Sequence, residues 1–178
     1  EANPNLGWRD VQHILARTAR QNRPFDASWR TNDAGLHVSD QFGFGAIDAG
    51  AAVAMAQVWT NVGAEFMHDT GEVIEALAIP DNDTTGLTRT VNVPVHMRIE
   101  SVELVLDANH ALCGQLRVTV RSPGGLDSLL ANTRTDNSNT YNNGYTFTTM
   151  KHLAERAAGT WTLKLADTAA GTTGTLDS

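Results

Sequence analysis

Residues 116–121 read Leu-Arg-Val-Thr-Val-Arg, and the alternation ends at the turn Ser122-Pro123-Gly124-Gly125. No feature of the chain restricts its fold more. A strict period of two places Leu116, Val118 and Val120 on one face and Arg117, Thr119 and Arg121 on the other, as a half-buried strand requires. The pattern recurs at 161–165, where Trp161, Leu163 and Leu165 alternate with Thr162 and Lys164. Further strands are expected at 72–80, 87–95, 98–106 and, less regularly, 144–150, separated by turns at DNDTTG, NNG and AAGT. No helical stretch of good length interrupts them, so residues 61–178 are expected to form an antiparallel β-sandwich of jelly-roll type.

Residues 1–60 follow a different period. Trp8, Val11, Ile14, Leu15 and Ala19 recur at helical spacing, with Asp10 in the first turn and Arg17 and Arg20 in the last. These charges suit the two ends of the helix dipole, and the spacing predicts a helix over 8–20. A polar stretch at 21–40 reads as a long loop. The segment QFGFGAIDAGAAVAMA (41–56) then leads from a glycine–aromatic turn into a second helix, over about 49–58, for which Asp48 is a suitable N-cap. Alanines and a glycine surround that helix on nearly every side, so it is expected to be buried against neighbours. These 60 residues hold too few strands to close a core of their own.

Composition narrows the chemistry. The formal net charge is −7 and lysine occurs only at 151 and 164, so no basic stripe exists to neutralise phosphates and nucleic acid is excluded as a partner. Residues 1–60 carry five arginines against six acids; the rest of the chain carries eight basic groups against fourteen acids. No run of about 18 apolar residues is present, so no membrane-spanning helix is expected. The single cysteine, Cys113, cannot form an internal disulfide.

Tests for a catalytic constellation fail. Gly43-Phe44-Gly45 before a helix resembles half of a dinucleotide loop, but Asp48 at the helix start would repel a pyrophosphate. His37, Ser39 and Asp40 hold the residue types of a triad but, as near neighbours on one strand, cannot face one another. Neither a GxSxG elbow nor an HExxH helix occurs. Asp81, Asn82 and Asp83 supply hard oxygen donors in a loop and are the candidate calcium ligands, although the same residues are ordinary turn formers. A carbohydrate- or protein-binding face would need exposed aromatics, for which Tyr141, Tyr145, Phe147 and Phe66 are available.

The segments EANPNLGWRDVQHIL (1–15) and HVSDQFGFGAIDAGAAVAMA (37–56) resemble the end of the catalytic domain of subtilisin-like serine proteases of the kexin or proprotein-convertase type. Ser39, Phe42, Gly43, Phe44, Gly45, Ile47, Asp48 and Ala49 meet that family's S-x-x-(Y/F)-G-F-G-x-(I/L/V)-(D/N)-A pattern. IESVELVLDANH (99–110), GQLRVTVRSPGGLDSLLA (114–131), GTWTLKLAD (159–167) and GTL (174–176) resemble the P domain, or Homo B domain, that follows it. Two departures stand out. Cys113-Gly114-Gln115 occupies the place where some convertases carry Arg-Gly-Asp, which gives no support to integrin-type binding. Gly7 stands where the family often has a threonine N-cap.

The resemblance implies a division into the tail of a catalytic domain (1–60) and a P domain (61–178) whose last strand, starting at Thr175-Leu176, is expected to be unfinished. It implies a secreted or periplasmic parent that is a calcium-dependent serine endopeptidase acting on polypeptides. Its Asp/His/Ser triad is expected upstream of Glu1, which leaves this chain inactive by itself. The P domain is expected to pack on the catalytic domain, stabilise it and tune its calcium and pH dependence, with Phe42, Phe44 and Asp48 at the junction. A homodimer through the apolar faces of residues 1–60 is a second way to cover them, and a binding module without a catalytic role is the alternative function.

Overall fold

A computed structural model describes residues 2–178, which divide into two compact units, one ending at His68 and the other running Asp69–Ser178. In the first unit, helix α1 (Trp8–Thr18) is followed by the two-residue strands β1 (Arg30–Thr31) and β2 (His37–Val38), which pair antiparallel, and by helix α2 (Ala49–Val58). Asp48 caps α2 as expected, its Oδ1 accepting from the Ala51 amide at 2.9 Å.

Two expectations about these helices are corrected. The inward side of α1 carries Asp10, His13, Ile14 and Ala16, whereas Trp8 is 70 % exposed and Val11 is exposed as well. The reason is a fixed carboxylate: Asp10 is tied to the segment after α2, and that tie sets the rotation of the helix. Helix α2 is also not enclosed, because Ala56 alone among its residues is buried. β1 and β2 are too short to form a wall beside it within this unit.

The second unit comprises β3 (Leu77–Ile79), β4 (Leu87–Val93), β5 (Val102–Leu106), β6 (Ala108–His110), β7 (Leu116–Arg121), β8 (Asp127–Ala131), β9 (Tyr145–Thr149), β10 (Gly159–Asp167) and β11 (Gly174–Leu176). All ladders are antiparallel. The order is β4-β10-β7-β8 in one sheet and β3-β11-β6 in another, with β5-β9 as a separate pair. Ile79, Leu106, Ala108, Leu116, Leu165 and Leu176 come from all three groups of strands and meet in one core. This is the mainly-β sandwich that the alternation predicts.

Two details differ from expectation. The strand predicted over 72–80 pairs only at Leu77–Ile79, and β6 and β8 form where none was predicted. β11 lies between β3 and β6 and is paired on both sides. Tyr141 is 2 % exposed and meets Tyr145 at a tilt and Phe147 edge-on, which removes it from any surface aromatic row.

Candidate functional site

The FGFG segment is built by close backbone approach. Arg20 and Ala46 exchange both hydrogen bonds, at 2.8 and 2.9 Å. Gly45, between Phe44 and Ala46, has φ +118°, and a Cβ there would lie 2.3 Å from the Arg20 carbonyl oxygen. Only glycine fits such a position. Gly43, at φ +57°, has open space around it and serves the turn that pairs Ser39 with Gly43.

Side chains complete the seam. The Phe42 ring stacks on Trp29 at 5.6 Å, and Trp29 meets His37 edge-on at 5.3 Å. Phe42, Phe44 and Asp48 are each half-buried. Besides capping α2, Asp48 pairs with Arg20 at 3.4 Å. Ser39 is buried, and its hydroxyl pairs with that of Ser28 at 2.7 Å and accepts from the Gln41 amide. The Ser39 hydroxyl is thus engaged by Ser28 and the backbone of its own turn.

Sequence reasoning missed the central group of this unit. Asp10 Oδ1 accepts from the Val62 amide at 2.7 Å and from the Trp59 indole at 2.9 Å, while Oδ2 accepts from the Gly7 amide at 2.8 Å. These bonds, with that of Val62 foremost, hold the Asp10 carboxyl below the usual aspartate range. A folded-state value below the unfolded one gives stability that is complete above the ordinary aspartate pKa and is lost as pH falls through the lower folded value. Asp10→Asn keeps the shape but replaces one acceptor oxygen with an N–H group. It is expected to lower the melting temperature by roughly 5 °C and to flatten the acid limb of stability below about pH 4, checked by thermal melts across pH.

In the second unit, Cys113-Gly114-Gln115 forms a single 3₁₀ turn clasped by the loop after β8. Gly114 donates to the Asp136 carbonyl at 3.0 Å and accepts from the Arg134 amide at 2.9 Å, and Cys113 donates its amide to Ser138 at 2.9 Å. The buried Cys113 thiol donates to Asp136 Oδ2 at 3.2 Å. The Ser138 hydroxyl and amide, then the thiol and Arg134, hold Asp136 far below the usual carboxylate range. Arg134 also donates to the Tyr141 hydroxyl at 2.8 Å, and burial raises that phenol. The arrangement locks a loop and keeps the thiol buried.

Asp81, Asn82 and Asp83 sit in the turn between β3 and β4. Both Asp81 oxygens accept from the Gly171 amide at 3.1 Å, and Asp83 accepts from the Thr85 amide at 2.8 Å, which lowers its pKa. Asn82 has φ +50° and an exposed side chain. Among the described residues, no group of three or more His, Cys, Asp or Glu side chains is placed to hold a metal ion.

The protein-family description "Proprotein convertase P-domain" matches residues 99–178. Over 174 residues the chain is 35 % identical to neuroendocrine convertase 2 of Homo sapiens, a match spanning 93 % of this chain and 27 % of that protein. It is 32 % identical over 176 residues to protease KEX1 of Kluyveromyces lactis, covering 94 % of this chain and 23 % of that one. The chain thus spans about a quarter of the length of the curated relatives it matches. In fold it is similar to a serine protease of Aeromonas sobria, with TM-score 0.82 at 20 % identity over 99 % of this chain and 40 % of that one. The same protease crystallised with its chaperone ORF2 gives TM-score 0.80 at 21 % identity, over 99 % and 39 %.

Proposed function

Since this chain belongs to the proprotein-convertase family of subtilisin-like serine proteases, with residues 99–178 as its P domain, we propose that it is the stabilising C-terminal part of a serine endopeptidase whose catalytic groups lie on another part of the polypeptide. One observation carries the proposal. Helices α1 and α2, with Ile47 just before the α2 cap, leave Trp8, Val11, Ile47, Val53 and Val58 exposed, with Val58 at 82 %. Each such side chain contributes about 1.5–3 kcal/mol when fully buried, so a surface of this kind favours association with a complementary apolar wall.

The wall is supplied, in this proposal, by the main body of the subtilisin-like domain. The β-sandwich contributes a second folded unit on the same chain, and covalent linkage raises its effective concentration at the contact. Anything that binds only the folded catalytic body shifts its folding equilibrium toward the native state. The parent acts on polypeptides outside the cytoplasm; among the described residues no helix is long and apolar enough to cross a membrane.

Within this chain, none of the groups placed above combines a nucleophile, a base and an orienting acid. The purified 178-residue protein is therefore expected to hydrolyse no peptide substrate. Hydrolysis that survives buffer exchange and is abolished by a serine-directed inhibitor would contradict the assignment.

A further inference from the structure

The turn that leads into β9 reads Tyr141-Asn142-Asn143-Gly144, and Asn143 is the one asparagine of the thirteen that precedes a glycine. Asn143 and Gly144 both lie in the left-handed region, at φ +69° and +86°, and both are exposed. The turn is held at its base. The Asn143 amide donates to Asp107 Oδ1 at 2.9 Å, and the Ala108 amide donates to the Tyr141 carbonyl at 3.0 Å. Among the described residues, neither the Asn143 carboxamide nor the Gly144 N–H has a hydrogen-bond partner in the protein.

Three features of this tip open the Asn143 side chain to attack by its own backbone. Glycine has no Cβ, so nothing on that residue crowds its nitrogen as it nears the carboxamide carbon. The Gly144 N–H has no protein hydrogen bond to give up before its peptide plane turns. The positive φ of Asn143 is common to type I′ and type II′ turns, which interchange by rotation of the central peptide plane. That rotation brings the Gly144 nitrogen toward Asn143 Cγ while leaving the Asn143 anchor on Asp107 in place. Asn137-Ser138, the other step with a small successor, lacks these features: serine carries a Cβ, and the Ser138 amide donates to Asp136 Oδ1 at 3.1 Å.

We propose that Asn143-Gly144 is a self-modification site, at which the folded turn promotes deamidation through a cyclic imide. The Gly144 nitrogen forms a bond to Asn143 Cγ, and the bond from Cγ to Nδ2 breaks. Nδ2 leaves as ammonia, taking the proton that the Gly144 nitrogen gives up. Water then opens the five-membered ring at one of its two carbonyls. Opening at Cγ leaves an ordinary aspartate at position 143. Opening at the main-chain carbonyl leaves isoaspartate, with the backbone running through the former side chain and lengthened by one methylene. No oxidant or reductant takes part.

Either product adds one negative charge to the formal −7 of the chain, in a turn that already rests on the Asp107 carboxylate. Isoaspartate also lengthens the path from the Asp107 anchor to the Leu106–Tyr145 pair, where β9 begins its ladder with β5. The modification therefore acts on the entry to β9.

Storage of the whole chain at about pH 8 and 37 °C, followed by peptide mapping with tandem mass spectrometry, tests the site. Asn143 is expected to gain about 1 Da at least roughly tenfold faster than any other asparagine, with isoaspartate detected by enzymatic methylation. The folded chain is expected to react at position 143 at least as fast as the same chain unfolded in guanidinium chloride, because the turn already holds the φ that closure needs. Asn143→Gln, which would have to close a six-membered ring, is expected to show no mass gain at that position. Another asparagine reacting first, a folded-state rate below the unfolded one, or a mass gain at position 143 that persists in Asn143→Gln would each overturn the proposal.

Discussion

Leu165→Ala is expected to destabilise the β-sandwich by about 2–5 kcal/mol, the range found when a buried leucine is cut back to a methyl group and the cavity is not refilled. Leu165 is fully buried near the end of β10 and pairs with Leu87 of β4 and Val118 of β7. Because β10 is the one strand flanked by both β4 and β7, its neighbours cannot collapse inward without breaking two ladders. Lys164→Ala, one residue earlier and exposed, is the matched control and should stay within about 0.5 kcal/mol. Urea unfolding followed by circular dichroism measures both. A Leu165→Ala cost near that of the control would mean that the three groups of strands do not share this core.

The reach of sequence reasoning followed the length of each periodic signal. β7 and β10 span six and nine residues, enough for alternation to mark them and to separate Trp161 and Leu165 from Lys164. β6 spans three residues, fewer than any alternation can distinguish from a loop, and β8 follows a Pro-Gly-Gly turn and carries a register shift against Val118 and Thr119. The N-cap at Asp48 was legible because capping is local. The inward face of α1 was not, since its orientation depends on bonds from Asp10 to Trp59 and Val62, some fifty residues away.

Gly45→Ala is the second substitution expected to act strongly, with a cost of about 2–4 kcal/mol to the helical unit. Two effects add. The backbone at φ +118° is one that side chains with a Cβ rarely adopt, and the new methyl carbon would overlap the Arg20 carbonyl oxygen at 2.3 Å. Relief requires opening the Arg20–Ala46 bridge, which positions the chain between Phe44 and the Asp48 cap. Gly43→Ala separates conformational strain from overlap: its φ is also positive, but nothing lies within 4 Å of the added carbon. That variant should cost only about 1–2 kcal/mol. Equal losses for the two, measured by thermal unfolding, would show that the close approach at Gly45 does not hold the seam. A large difference would identify the glycine–aromatic segment as a packing joint.

Stabilisation of a catalytic body by this chain is tested most directly by heat inactivation of the parent protease with and without residues 69–178. Loss of that segment is predicted to lower the temperature of half-inactivation by roughly 10 °C or more, because the folded catalytic body then loses a partner bound only in its native state. Unchanged inactivation in the shortened enzyme would contradict the account and leave the β-sandwich a separate module.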